Sequence, residues 1–333
     1  MAQLNGRNGL DFEAPILELE GKIEELRNFS QTTQVDLSDQ IDQLLERCND
    51  KKRAIFSKLS PWQKVLTARH PKRPLTSDFI QLMVKDFVEL FGDRTFRDDP
   101  SIVTGFGELD GRRICIVGHR KGRDTSEKLA CYFGCSHPEG YRKALLKMKL
   151  AEKFRIPILT LVNTPGAYPG IGAEERGQAF VIANNIMEMS RLRVPVICVV
   201  IGEGGSGGAL GIGVGNRVLM MEHSYYSVIS PEGCAAILWK TADHKERAAE
   251  ILKLTAEDLQ GFGIIDEIVP EPLGGAHRDP RTTAATLKHA ISRHLRELER
   301  LDGEQLVADR LQKLKRIGAY QEEVAQQVAA AGT

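Results

Sequence analysis

Between residues 11 and 59 apolar side chains return every three to four positions, at Ile16, Leu19, Ile23 and Leu26 and again at Leu37, Ile41, Leu44 and Cys48. Charged residues fill the gaps, so each run reads as a helix with one face to bury, and the pair as a helical hairpin packed on the main body or on a partner. The stretch Ala68–Thr76 breaks the period with two prolines and several basic residues and reads as a linker, either solvated or making a basic contact. Helical spacing resumes over Asp78–Phe91. Ile102–Leu109 and Arg113–Val117 flank Asp110-Gly111, a dipeptide suited to the positive φ angles of a tight turn, and predict a β-hairpin.

Tyr141–Phe154 is helical, and beyond it strands and helices alternate. Strand Pro157–Val162 leads to helix Ala173–Ser190, strand Pro195–Ile201 to a short helix, and then comes strand Val218–Met221. Ser230-Pro231-Glu232 opens another helix, with proline in its first turn. Strand Ile264–Val269 precedes a loop over Pro270–Pro280 and a helical stretch Arg281–Ile317. Strands that are apolar throughout and alternate with helices predict an α/β fold, a parallel sheet covered on both faces. The expected division is a hairpin and linker over 1–75, a core domain over 76–300 and a C-terminal helical tail over 301–333.

Composition narrows this picture. Lys+Arg and Asp+Glu are both 45, so no global charge favours nucleic acid or an anionic membrane. No apolar run approaches the about 18 residues of a membrane span, and the N-terminus lacks a basic-then-apolar signal pattern, so a cytoplasmic protein is expected. The six cysteines are scattered, which suits reduced thiols. Cys131, Cys135 and His137 lie close in sequence, but a closed zinc site wants two spaced ligand pairs, and no metal is expected.

The candidate chemistry lies in two glycine-rich turns, Thr164–Gly172 and Glu203–Gly208, each after an apolar strand. The second fits three patterns. As G-x-G-x-x-G it uses Gly202, Gly204 and Gly207, with Glu222 placed for a ribose. As G-x-S-x-G it makes Ser206 a hydrolase nucleophile, with Asp243 or Asp266 and His277 downstream. As an oxyanion hole it needs only backbone N–H groups, and glycine lets the main chain approach a developing negative oxygen. The third pattern uses both turns, since turns after successive parallel strands meet at one sheet edge, and it is favoured. Gly211, Gly213 and Gly215 read as packing glycines.

Asn163-Thr-Pro-Gly-Ala-Tyr-Pro-Gly170, Gly172-Ala-Glu-Glu-Arg-Gly-Gln178, Val200–Ala209 and Ser227-Val-Ile-Ser-Pro-Glu-Gly-Cys234 closely resemble the alpha subunits of acetyl-CoA carboxylase carboxyltransferase. Leu10-Asp-Phe-Glu13, Ala68-Arg-His-Pro71, Gly118-His-Arg-Lys-Gly122, Pro138-Glu-Gly-Tyr-Arg-Lys143 and Pro270–His277 extend the likeness from about residue 10 to 300, in order. The resemblance implies a crotonase-like (ClpP/crotonase) spiral βα core, here residues 76–300 as a CoA carboxyltransferase domain, with an N-terminal helical extension and C-terminal helices. It also implies carboxyl transfer from carboxybiotin on the biotin carboxyl carrier protein to acetyl-CoA, forming malonyl-CoA for fatty acid biosynthesis.

The implied partners are a beta subunit in an α2β2 assembly, which also carries the zinc, and biotin carboxylase. The ureido oxygen of biotin and the enolate oxygen of the thioester, which gain charge in that reaction, call for oriented donors. The backbones of Gly207, Gly208 and Ala209 are the expected oxyanion donors. Gly166, Ala167, Tyr168, Gly170, Gly204 and Gly205 are the expected substrate-binding wall. Glu174, Glu175 and Arg176 read as helix-start chemistry, His119 and His277 as structural hydrogen-bonders. Arg120, Lys121 and Arg123 read equally as a CoA-phosphate contact or a solvated loop. A carboxyltransferase for another acyl-CoA, a serine hydrolase using Ser206 and a non-catalytic scaffold subunit are the alternatives.

Overall fold

The computed structural model describes residues 4, 5 and 9–318. A small antiparallel pair, β1 (Leu4–Asn5) with β2 (Gly9–Leu10), opens the chain. The helices Ala14–Thr33 and Ser38–Phe56 then form the expected hairpin, closed by Ile16, Ile23, Cys48 and Phe56.

The core is an eight-stranded sheet. Its strands are β3 (Lys85–Glu89), β4 (Ile102–Leu109), β5 (Arg112–His119), β6 (Ile158–Thr164), β7 (Val196–Gly205), β8 (Arg217–Met221), β9 (Tyr225–Ser227) and β10 (Glu267–Val269). They run in the order β10-β8-β7-β6-β5-β4-β3, with β9 added to the end of β7. Pairs from β5 through β10 are parallel, and β3, β4 and β5 are antiparallel. Asp110 and Gly111 make the β4–β5 turn at φ 50° and 77°, as their sequence predicts. One face is covered by the helices Pro138–Lys153 and Gln178–Arg191, the other by Thr76–Met83 and Pro280–Leu298. β6 and β7 are buried at every residue, which is why they are apolar throughout.

Several elements differ from their sequence pattern. The helix expected over Asp78–Phe91 ends at Met83, and Lys85–Glu89 pairs with β4 instead. Ladder hydrogen bonds to a ready-made hairpin there outweigh local helical spacing. The helix expected over Ala173–Ser190 is two, Ile171–Glu175 and Gln178–Arg191, parted at Gly177, whose φ is 82°. Arg281–Ile317 likewise divides, because Asp302 caps a separate helix, Gly303–Arg316. That helix is not loosely attached, since Leu306 and Arg310 are buried. The Arg310 guanidinium caps the carbonyls of Met189 and Leu192 at 2.7 and 2.9 Å.

The Ala68–Thr76 stretch is not a solvated linker. Arg73 is 2% exposed and donates to both oxygens of Glu271 and, at 2.8 Å, to the Ile201 carbonyl. Two prolines and a basic run look like a loop, but here they route guanidinium groups into the protein.

Candidate active site

β6 and β7 are parallel neighbours, so both glycine turns leave the sheet at the same edge. The register places Thr164 opposite Gly204 at the point of exit. From there the turns touch through backbone. A Cβ on Gly205 would lie 2.1 Å from the Pro165 carbonyl oxygen, and one on Gly208 would lie 2.5 Å from Ala167 N and Gly166 C. No side chain fits between them, so glycine at 205 and 208 is a condition of their contact. Gly207 differs, since a Cβ there would meet only Ile182, at 3.8 Å.

The second turn opens the short helix Ser206–Leu210. The first N–H groups of a helix have no acceptor within it, so Gly207 and Gly208 carry such donors, while Ala209 is the first with a carbonyl, that of Gly205, four residues behind. Beneath Gly208 lies His119, fully buried. Burial pushes its pKa down to about 3 against the Gly208 and Leu161 backbones, which favour the charged form, so its ring is neutral. His119 Nδ1 accepts from Asn163 N, a structural role as its sequence context suggests.

Of the expected substrate wall, Gly166 and Ala167 face Gly208. Gly170 lies against the Tyr168 ring, which stacks on His137 at 4.0 Å. Gly204 and Gly205 are buried, in the last turn of strand rather than on an open face. Beside Ser206 and Gly207 a cleft of about 450 Å³ is walled by Leu210, Tyr226, Val228, Leu252 and Leu259. Val228, which lines the cleft, is exposed, as are Ile171 and Phe180 after the first turn and Ile237 and Leu238 on the helix Pro231–Trp239, each at least 60%.

A buried charge network under the second turn escaped the sequence reading. Glu203, 3% exposed, accepts from Arg69 Nε at 2.6 Å and from the Tyr225 hydroxyl at 2.7 Å, and its other oxygen pairs with Lys121. Arg69 also pairs with Glu232. Burial alone would raise the Glu203 pKa, but the Lys121 and Arg69 charges outweigh it and hold it at about 2. The available signal was a lone carboxylate in the glycine turn directly after an apolar strand, which once buried must find partners. Arg120 and Arg123 are likewise paired, with Glu89 and Asp78, so this loop is tied to the chain's own carboxylates.

The competing motifs do not assemble. Gly202 and Gly204 lie inside β7, so the G-x-G-x-x-G glycines are not a strand-to-helix turn, and Glu222 accepts from Glu271 N at 2.9 Å. Ser206 has the positive φ of a nucleophile elbow, 49°, but its proposed helpers are engaged elsewhere. Asp243 bonds Thr241, Asp266 holds Val218 N and Lys313, and His277 meets Glu13 at 3.1 Å. The hydrolase reading therefore fails on geometry.

Among the described residues, Glu13, His70 and His277 bring their ligand atoms within 4.8 Å of one another. His70 Nδ1 accepts from Lys72 N, which leaves the ring proton on Nε2, and Arg278 sits 2.9 Å from Glu13. That is the arrangement of one carboxylate shared among donors. It ties the N-terminal segment to the Pro270–Pro280 loop, a job for His277 consistent with the structural role expected of it.

The fold, with its paired turns at one edge of the sheet, is that of the crotonase-like carboxyltransferases. A Pseudomonas malonate decarboxylase hetero-tetramer solved with coenzyme A aligns at a TM-score of 0.54 and 18% identity, over 66% of this chain and 87% of that one. The transcarboxylase 12S core, solved with methylmalonyl-coenzyme A, aligns at 0.51 and 21% identity, over 65% of this chain and 41% of that one. Sequence takes the assignment further. The family model for acetyl co-enzyme A carboxylase carboxyltransferase-like proteins matches residues 9–318, and the chain belongs to that family. Acetyl-coenzyme A carboxylase carboxyl transferase subunits alpha of Methylococcus capsulatus and Bordetella pertussis are each 55% identical to it, over 94% of this chain and 98% of theirs. That of Halorhodospira halophila is 53% identical over 95% of this chain and 99% of its own.

Proposed function

We propose that this chain, with a beta subunit, transfers the carboxyl group of carboxybiotin, held on the biotin carboxyl carrier protein, to acetyl-CoA and so forms malonyl-CoA. The observation that carries the reading is the backbone contact of the two turns at Gly205 and Gly208, beside an apolar cleft. When bound, carboxybiotin supplies the carboxyl group and a ureido oxygen that gains negative charge on its release. The turn offers that oxygen main-chain donors at Gly207 and Gly208, fixed before the reaction begins. The apolar cleft walls exclude water, which strengthens those hydrogen bonds. Gly166, Ala167, Tyr168 and Gly170 form the facing wall.

The relatives are alpha subunits, and the exposed apolar side chains of Ile171, Phe180, Val228, Ile237 and Leu238 support a partner surface. In this reading the beta subunit completes the site in an α2β2 assembly, binds most of the CoA and holds the zinc, and biotin carboxylase charges the carrier. Co-purification with a candidate beta subunit, followed by assay of malonyl-CoA and biotin, tests it. The pair should transfer and the isolated chain should be inactive. Robust transfer by this chain alone would sink the two-subunit reading.

A further inference from the structure

The Gly208 residue is held from both of its peptide bonds. The peptide bearing its N–H has Gly207 as its carbonyl, and that oxygen accepts from Gly211 N at 2.9 Å. On the other side, the Gly208 carbonyl accepts from the hydroxyl of Tyr141 at 3.2 Å. Tyr141 comes from a different element, the helix Pro138–Lys153, and is fully buried. Its ring also supports the first hold, because a Cβ on Gly211 would lie 2.6 Å from the ring atom Cε1. Asn185 closes the unit by donating at 3.0 Å to both the Tyr141 and the Gly211 carbonyls.

We propose that Tyr141 is a positioning residue for carboxyl transfer, anchoring Gly208 on both sides: its hydroxyl holds the Gly208–Ala209 peptide, and its ring under Gly211 backs the Gly211 N–H that holds the Gly207 carbonyl, in the peptide that carries the Gly208 N–H. The inference rests on the proposed function and adds to it the side chain that aims the donor. Peptide units are planar, so a held carbonyl fixes the N–H of the same unit: the Gly207 carbonyl fixes the Gly208 N–H, and the Gly208 carbonyl fixes the Ala209 N–H that follows it. With only glycine at 207, 208 and 211, the backbone itself has little to resist rotation, and a rigid partner must supply the resistance. A phenol suits the task. Burial raises its pKa, so the hydroxyl keeps its proton and stays a donor. Tyr141 does not line the cleft, which separates positioning from contact with substrate.

The test is Tyr141→Phe in the reconstituted complex with a beta subunit, which keeps the ring under Gly211 and removes only the hydroxyl. The expected result is a kcat for carboxyl transfer reduced about tenfold, the size of one misaligned donor, with KM for acetyl-CoA within about twofold. A second variant, Gly211→Ala, displaces the ring by its added Cβ and should lower kcat likewise. In the double variant the two losses should not multiply, because both act through one contact. Unchanged kcat in Tyr141→Phe, a rise in KM alone, or fully multiplicative losses would overturn the proposal. If Tyr141→Phe fails to fold, the Gly211→Ala variant decides, and unchanged kcat there has the same force. A wild-type complex that transfers nothing would bring down the functional reading, and this inference with it, and is recognised in the control before any variant is compared.

Discussion

At Gly208 and Ser206, neighbouring positions of one turn give opposite expectations. A side chain at 208 must displace the backbone of Gly166 and Ala167, so Gly208→Val separates the two turns. Carboxyl transfer in the complex should fall at least about a hundredfold, the cost typical of losing one oxyanion donor. Ser206 makes no hydrogen bond to its would-be helpers, and Ser206→Ala should leave transfer within about threefold of wild type. Equal losses in the two variants would mean that the serine hydroxyl, and not the backbone, does the chemistry. Glu203 carries a different burden. Replacing it by Gln leaves Arg69 and Lys121 facing a neutral group in a buried site, and Glu203→Gln should cost roughly 3 kcal/mol of unfolding free energy. A denaturant midpoint unmoved from wild type would show that the network is dispensable.

Whole elements answer to partners that lie far along the chain. The helix Gly303–Arg316 has charged residues over most of its surface, yet Arg310 reaches three carbonyls at the end of the helix Gln178–Arg191 and the residues that follow it. Arg310→Leu keeps the bulk and leaves those carbonyls unpaired, and should destabilise the protein by about 3 kcal/mol. Thermal unfolding of the variant within a degree of wild type would place that helix outside the cooperative fold. The same principle explains which elements could be read in advance. The hairpin helices, the β4–β5 turn and the buried strands β6 and β7 follow local periodicity and turn chemistry, so they are legible. The extension of β7 to Gly205 is not, because glycine has poor strand propensity. It is drawn out by pairing on two sides, Thr164 with Gly204 on β6 and Glu203 with Tyr225 on β9. Lys85–Glu89 follows β4 for the same reason.

Across the whole molecule, buried ionisable groups make stability depend on acidity in a defined direction. His70 is held at about 4, by burial first and then by the neighbouring His277. A histidine whose pKa is lowered on folding stabilises above its unfolded value near 6.5, and that contribution is lost as pH falls toward 4. Glu13, Glu203 and Glu271 are each held at about 2 against burial, by hydrogen bonds and cationic neighbours. Their contribution is full above about 4.5 and disappears as pH falls through 2. Melting temperature should therefore decline from pH 6.5 and more steeply below 4.5, with His70 and the fully buried His119, both lowered first by burial, contributing the earlier phase. A melting temperature flat between pH 7 and 4 would show that these groups are solvated in the folded protein. His70→Gln should shrink the earlier phase and leave the later one in place.

Residue order alone was enough for the class of the fold, the sequence of its main elements and the presence of two glycine turns after successive strands, because apolar periodicity and glycine in a strand-to-helix setting are local properties. Its ordered motifs from Leu10 to about residue 300 also pointed to the family. Only the tertiary structure decided which glycines face each other, since the contact of Gly205 and Gly208 with Pro165–Ala167 depends on the register of β6 against β7. The partners of Glu203 lie 134 residues before it at Arg69, 82 before it at Lys121 and 22 after it at Tyr225. No spacing rule connects such positions, because a buried charge is satisfied in space, by partners from any part of the chain that the fold brings to it. The hold of Tyr141 on Gly208, across 67 residues, is of the same kind.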